Sequence, residues 1–165
     1  MITSYKNFEG QEINLTSTCD VFVGCDFENC KLKYYRISSN APYGKVKFIN
    51  CNFDNLDLSD QTPDYIGVGA EFIGCKMNGT NFTGQIIQSY FYNCQLQEAN
   101  FSGTALYGST FEQCDCTGCR FDDAEFKCSE PFVFAEYATP VKFINTILDG
   151  CNFTDQQKED TIDEI

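Results

Sequence analysis

Large apolar residues recur at every fifth position through the middle of the chain. Phe91, Leu96, Phe101, Leu106, Phe111, Cys116, Phe121 and Phe126 keep this spacing without a break. Two places before each stands a small residue: Ser89, Cys94, Ala99, Thr104, Ser109, Cys114, Cys119 or Ala124. The other three places are mostly polar or glycine. An amphipathic helix repeats its apolar face about every 3.6 residues and a half-buried strand about every two, so neither produces this period. Each unit of five turns one large and one small residue inward and exposes the rest.

Twelve-residue copies extend the pattern outward: "VFVGCDFENCKL" (21–32), "KFINCNFDNLDL" (47–58), "EFIGCKMNGTNF" (71–82), "YFYNCQLQEANF" (90–101), "TFEQCDCTGCRF" (110–121) and "KFINTILDGCNF" (142–153). Their leading phenylalanines are Phe22, Phe48, Phe72, Phe91, Phe111 and Phe143, and the shortest steps, 19 and 20 residues, equal four units of five. Four short sides make one storey of a square coil, and stacking the storeys buries the large residues and pairs the backbones about 4.8 Å apart. The expected fold is all-β: a quadrilateral parallel β-helix of about six coils. Side one carries the leading Phe, side two Phe27, Phe53, Met77, Leu96, Cys116 and Leu148, and side three Leu32, Leu58, Phe82, Phe101, Phe121 and Phe153. Side four is irregular. Its steps stretch at 33–46, 59–69 and 127–141, where proline and aromatics predict three loops leaving one corner. Residues 1–155 read as one domain. Within it 1–18 form an N-terminal cap, with Phe8 and Ile13 five apart, and an acidic tail follows at 156–165.

The units "CDFEN" (25–29), "CNFDN" (51–55), "TNFTG" (80–84), "ANFSG" (99–103) and "CNFTD" (151–155) follow one rule: a small residue, Asp or Asn, Phe, then two variable places. In this the chain resembles the pentapeptide-repeat family over roughly 21–155. Met77, Cys116 and Leu56 depart from the motif. The resemblance implies a right-handed coil. It also implies a class of partner, since some members resemble B-DNA in width and charge, bind type II topoisomerases, and protect gyrase from quinolone drugs or inhibit it.

Composition narrows the chemistry. Asp plus Glu number 24 against 11 Lys plus Arg, a formal charge of −13. Such a chain repels phosphate backbones, which argues against direct nucleic-acid binding and suits a basic protein surface. The start of the chain lacks a basic segment followed by an apolar run, and no apolar stretch is long enough to span a bilayer. The expectation is a cytoplasmic protein with no membrane association and eleven reduced cysteines. "CDCTGC" (114–119) looks like a metal motif, but the repeat supplies a plainer cause. Cys25, Cys51, Cys75, Cys94 and Cys114 take the small inward place on side two, and Cys30, Cys119 and Cys151 take it on side three. Cysteine serves there as a small hydrophobe, and a straight column does not make a tetrahedral site. Cys19 and Cys128 fall outside the pattern. There is no histidine, which removes Ser–His and Cys–His nucleophile pairs, and no phosphate-binding glycine loop occurs. The chain reads as a non-enzyme without metal or cofactor.

Two surfaces remain as partner sites. The place after each side-one phenylalanine faces outward and holds Val23, Ile49, Ile73, Tyr92, Glu112 and Ile144, an apolar column broken once. Either the loops or a second molecule covers it, so a homodimer is one expectation. Phe132, Phe134 and Tyr137 of the third loop offer aromatic anchors beside it. The second surface is acidic: Asp26, Glu28, Asp54, Asp57, Asp60, Glu98, Asp115, Asp122, Asp123, Asp149 and Asp155 spread over sides two and three. The two surfaces support two readings. One is a protein-binding DNA mimic directed at a DNA-acting enzyme such as gyrase. The other is a general interaction scaffold or inhibitor docking through the apolar column and aromatic loops.

Overall fold

The computed structural model describes residues 1–15, 20–34, 46–59, 67–68, 70–87, 89–127 and 139–164. Among these described residues, twelve strands and one short helix follow in chain order. They are β1 (Ile2–Ser4), β2 (Glu12–Leu15), β3 (Val21–Val23), β4 (Lys31–Tyr34), β5 (Val46–Ile49), β6 (Gly67–Val68), β7 (Ala70–Ile73), β8 (Ile86–Ile87), β9 (Tyr90–Tyr92), β10 (Thr110–Glu112), β11 (Lys142–Ile144), α1 (Asp155–Glu159) and β12 (Ile162–Glu164). Side one is a single eight-stranded parallel sheet in the order β1-β3-β5-β7-β9-β10-β11-β12. Its register stacks Phe22 on Phe48, Phe48 on Phe72, Phe72 on Phe91, Phe91 on Phe111 and Phe111 on Phe143. Side two is a ladder of single parallel bridges from Asn7–Asp26 to Asp115–Ile147. Side three pairs β2 with β4 and continues through Asp57–Asn81–Asn100–Arg120. Side four pairs β6 with β8 and Ala105 with Glu125. The molecule is the four-sided parallel β-solenoid that the five-residue period requires.

The coil count needs correction. Side one has eight storeys, where six were expected. The added storeys set Thr3 beside Phe22 and Asp163 beside Phe143. Both lack the large apolar residue by which the copies are recognised, so a search for phenylalanine passes over them. Residues 1–15, read as part of a cap, supply side one, a side-two bridge and a side-three strand of the first storey. Of the segment read as a tail, α1 and β12 continue the stack.

The core is a set of ring columns. Phe22, Phe48, Phe72, Phe91, Phe111 and Phe143 stack with centroids 4.6–5.3 Å apart. Rings on adjacent sides meet edge to face, as Phe27 meets Phe48 at 86° and Phe101 meets Phe111 at 88°. Stacking in one direction and T-shaped contact across it both suit the aromatic quadrupole. The main-chain ladders run parallel to the ring columns, so one translation satisfies hydrogen bonds and packing together.

The small inward residues have a second duty. Many of those that carry a donor direct it to the carbonyl of the large residue on the preceding side, one storey below. Cys51 Sγ reaches Phe22 O at 3.5 Å, Cys75 reaches Phe48 O at 3.3 Å, Thr80 Oγ1 reaches Phe53 O at 2.9 Å and Thr104 Oγ1 reaches Phe82 O at 3.0 Å. Cys, Thr and Ser interchange because the slot wants a compact side chain with one donor.

Corners follow an equally local rule. Asn29, Asn55, Gly79, Glu98, Gly118 and Gly150, the fifth places of side two, all have positive φ between 54° and 73°. Asparagine and glycine are the residues that enter this region at least cost. Gly79 has a further constraint, since a Cβ there would lie 2.6 Å from Asn55 Oδ1 of the storey below. The corner closes when the N–H of the next small residue donates to the carbonyl of the large one, as Leu56 N does to Phe53 O and Ala99 N to Leu96 O, both at 3.0 Å.

Nine cysteines in the described residues are unbridged thiols, and eight of them are buried. Cys19 and Cys128 lie outside the described residues. Cys75, Cys114, Cys119 and Cys151 sit well above the ordinary thiol range, first through hydrogen bonds with neighbouring thiols and then through burial. In a Cys19→Ser/Cys128→Ser background, the remaining thiols of the native protein are expected to react with an aromatic disulfide at below roughly a tenth of the rate of the urea-unfolded chain. Equal rates in the two states would show that the thiols do not line the interior.

Candidate partner-binding surfaces

Side one presents its outward residues in strict register. Val23 lies beside Ile49, Ile49 beside Ile73, Ile73 beside Tyr92, Tyr92 beside Glu112 and Glu112 beside Ile144. All six are half-buried. The column read from the sequence is therefore one continuous strip, interrupted at Glu112. The residues on its far flank are mutually satisfied. Lys47 Nζ lies 2.7 Å from Glu71, and Tyr90 donates its hydroxyl to Glu112 at 2.6 Å. That bond, helped by burial, pushes the Tyr90 phenol up to about 12. Neither pairing follows a five-residue rule; each joins residues on different storeys, so linear reading missed them. The aromatic loop residues Phe132, Phe134 and Tyr137 lie outside the described residues.

The acidic residues divide into two kinds. Those in the second place of a unit are built into the coil. Asp26 accepts the Glu28 N–H at 3.1 Å, Asp57 the Ser59 N–H at 3.0 Å and Asp115 the Thr117 N–H at 3.1 Å. Asn52, Asn81 and Asn100 do the same for the residue two ahead. This is an Asx turn, and it explains why the motif prefers Asp or Asn before the large residue. The same side chains link storeys: Asn52 donates to Asp26 at 3.2 Å and Asn81 to Asp57 at 3.0 Å. The Ser59 hydroxyl and N–H, with Asn81, hold the Asp57 carboxyl below its ordinary range, and the Thr117 hydroxyl does most of the same for Asp115. The stability these two bonds contribute is present above the usual carboxylate range and is lost as pH falls through it.

The remaining acids are less committed. Asp54 accepts the Asn78 N–H of the next storey at 2.8 Å. Asp122 is claimed by Arg120 at 2.9 Å and by Asn152. Glu28, Asp123 and Asp149 are exposed. Of the acids put forward as partner contacts, Asp54 stands on side two and Asp57, Asp122 and Asp123 run along side three. Asp60 lies outside the described residues. The sequence pattern located the acids; it did not reveal that half of them serve the fold first.

The described residues form a four-sided parallel solenoid built of five-residue units with two patterned outer surfaces, and this defines the class. Residues 86–127 match a family model described as pentapeptide repeats in nine copies, and residues 68–103 match one in eight copies. Residues 68–127 thus carry pentapeptide repeats, and the described residues on either side continue the same solenoid. Among solved structures it is similar to a trypsin-treated form of QnrB1, a plasmid-mediated fluoroquinolone resistance protein, at 14% identity and a TM-score of 0.43, covering 96% of this chain and 94% of that one. Full-length QnrB1 aligns at 17% identity and a TM-score of 0.30, covering 96% of each chain. The pentapeptide-repeat protein Rfr23 from the cyanobacterium Cyanothece aligns at 10% identity and a TM-score of 0.20, covering 98% and 83%. No curated protein sequence matches.

Proposed function

We propose that this chain is a non-enzymatic protein-binding module of the cytoplasm. In this reading its acidic sides dock into the basic groove of a DNA-acting enzyme, a type II topoisomerase such as gyrase first among them, and protect or inhibit it. The observation that carries the reading is charge laid along a rigid axis. Eight storeys at about 4.8 Å give an axis of roughly 34 Å. A formal charge of −13 then amounts to one net negative charge per about 2.6 Å, against about 1.7 Å for duplex DNA. Asx turns fix the carboxylates of Asp26 and Asp115 on side two and Asp57 on side three, so little side-chain entropy is lost there when a basic groove closes on them.

In a gyrase supercoiling assay, with and without a fluoroquinolone, added protein is expected to change the product distribution. That effect is expected to fade with competing duplex DNA and with rising salt. An interaction indifferent to both would remove the acidic sides from the account. The apolar strip on side one supports a second reading, docking on a protein partner with little dependence on salt.

A further inference from the structure

The strip on side one and the acids on side two share a corner, and together they specify an occupant. Four consecutive storeys present Val23, Ile49, Ile73 and Tyr92 without interruption. On the far flank Lys47 forms an ion pair with Glu71, and Tyr90 donates its hydroxyl to Glu112 at the end of the rail. On the near flank, side two of the same storeys carries Asp26, Glu28, Asp54 and Glu98 against one lysine, Lys76. None of these five makes an ion pair among the described residues. The surface is thus an apolar rail with one edge tied up by an ion pair and a hydrogen bond, and one acidic edge.

We propose that this corner seats a cationic amphipathic helix of a partner protein, lying along the solenoid axis with its apolar stripe on the rail and its lysines or arginines over side two. Spacing selects the helix. Three storey intervals span about 14 Å. A helix offers one apolar residue per turn, about 16 Å over three turns, whereas alternate residues of an extended strand would need about 20 Å. A helix keeps its side chains within about 2 Å of register across the rail, and a strand loses it by more than one storey. Charge selects the partner's sign and opposes a second copy of this chain, because two bodies of −13 repel as they approach.

The inference rests on the protein-binding reading but not on the identity of any enzyme. The test uses the full chain and a labelled 14-residue peptide with leucines on one helical face and lysines on the rest. A second peptide has the same composition but leucines scattered round the helix. The first peptide is expected to bind and gain helicity by circular dichroism, and the second to bind at least tenfold more weakly. Hydrogen exchange on the unmutated protein is expected to show protection by the first peptide at 21–23, 46–49 and 70–73. Ile49→Ser with Ile73→Ser is expected to weaken binding at least tenfold, and Glu28→Gln with Asp54→Asn severalfold, with a shallower salt dependence.

Equal binding of the two peptides, or protection confined to other sides, overturns the proposal. So does a sedimenting dimer that Ile49→Ser/Ile73→Ser dissociates, since a second copy would then hold the rail. Gyrase modulation that survives the serine variant while peptide binding is lost leaves the acidic-side function standing independently. Peptide capture without any gyrase effect does the reverse.

Discussion

Replacing Phe101 with alanine is expected to cost about 3–5 kcal/mol, a large share of the roughly 5–15 kcal/mol by which a domain of this size is stable. Phe101 is fully buried and sits in the middle of the stack. It lies between Phe82 at 4.7 Å and Phe121 at 5.2 Å, with its edge against Phe111 at 5.7 Å. Truncation leaves a ring-sized void between the Phe82 and Phe121 rings and walled by main-chain ladders, which cannot close in without breaking their hydrogen bonds. Each storey of a solenoid touches only its neighbours, so a central defect separates the stack into two shorter pieces. Urea denaturation followed by circular dichroism should show the midpoint fall sharply for Phe101→Ala and much less for Phe101→Leu, which keeps most of the volume. A Phe101→Ala midpoint close to the parent's would contradict a close-packed ring column.

Gln157→Leu is expected to cost about 2–4 kcal/mol although it conserves volume and lies near the end of the stack. On side four of the seventh storey, α1 stands where a five-residue unit would be. Gln157 is buried in it and makes the two bonds that the unit would have made. Its Nε2 donates to Phe121 O at 2.8 Å and to Ala124 O at 2.9 Å. Earlier storeys satisfy the equivalent carbonyls with a small side chain and a backbone N–H: Thr104 Oγ1 on Phe82 O and Glu125 N on Thr104 O. The Gln157 carbonyl oxygen meanwhile accepts the Thr154 N–H at 2.9 Å, completing a capping box at the start of α1. Leucine would leave the Ala124 carbonyl and the Thr154 N–H without these partners, and would strip the Phe121 carbonyl of one of its two donors, the other being the Ala124 N–H. Thermal melts should show a clearly lowered Tm for Gln157→Leu, whereas Gln156→Leu, at an exposed neighbouring place, should leave Tm within a degree or two. Equal melts for the two variants would mean that solvent replaces these bonds without loss.

The phenylalanine columns were readable along the chain because one period governs both burial and backbone pairing. A residue such as Phe91 announces its side and its storey by position alone. The same regularity placed Cys51, Cys75 and Cys94 inside, and it set Val23, Ile49, Ile73 and Tyr92 in one outward line. Reading stopped where the pattern ceased to be apolar. Thr3 and Asp163 hold end storeys without a large hydrophobe, and Gln157 closes the stack from a helix that obeys no period of five. The Asx role of Asp26, Asp57 and Asp115 was likewise hidden. An aspartate that turns the chain and one that awaits a partner look the same in a list of charges.

From the sequence alone came the number of sides, the inward and outward places, the register between distant copies, and the assignment of the thiols to the interior. These follow from short-range sterics repeated at a fixed interval. The tertiary structure alone decided how many storeys stack, which carboxylates are held by the fold, how Lys47 and Tyr90 bind the glutamates Glu71 and Glu112 beside the apolar strip, and what covers the last buried carbonyls. Each of these depends on atoms brought within about 3 Å by stacking, a distance that sequence separations of about twenty residues or more do not reveal.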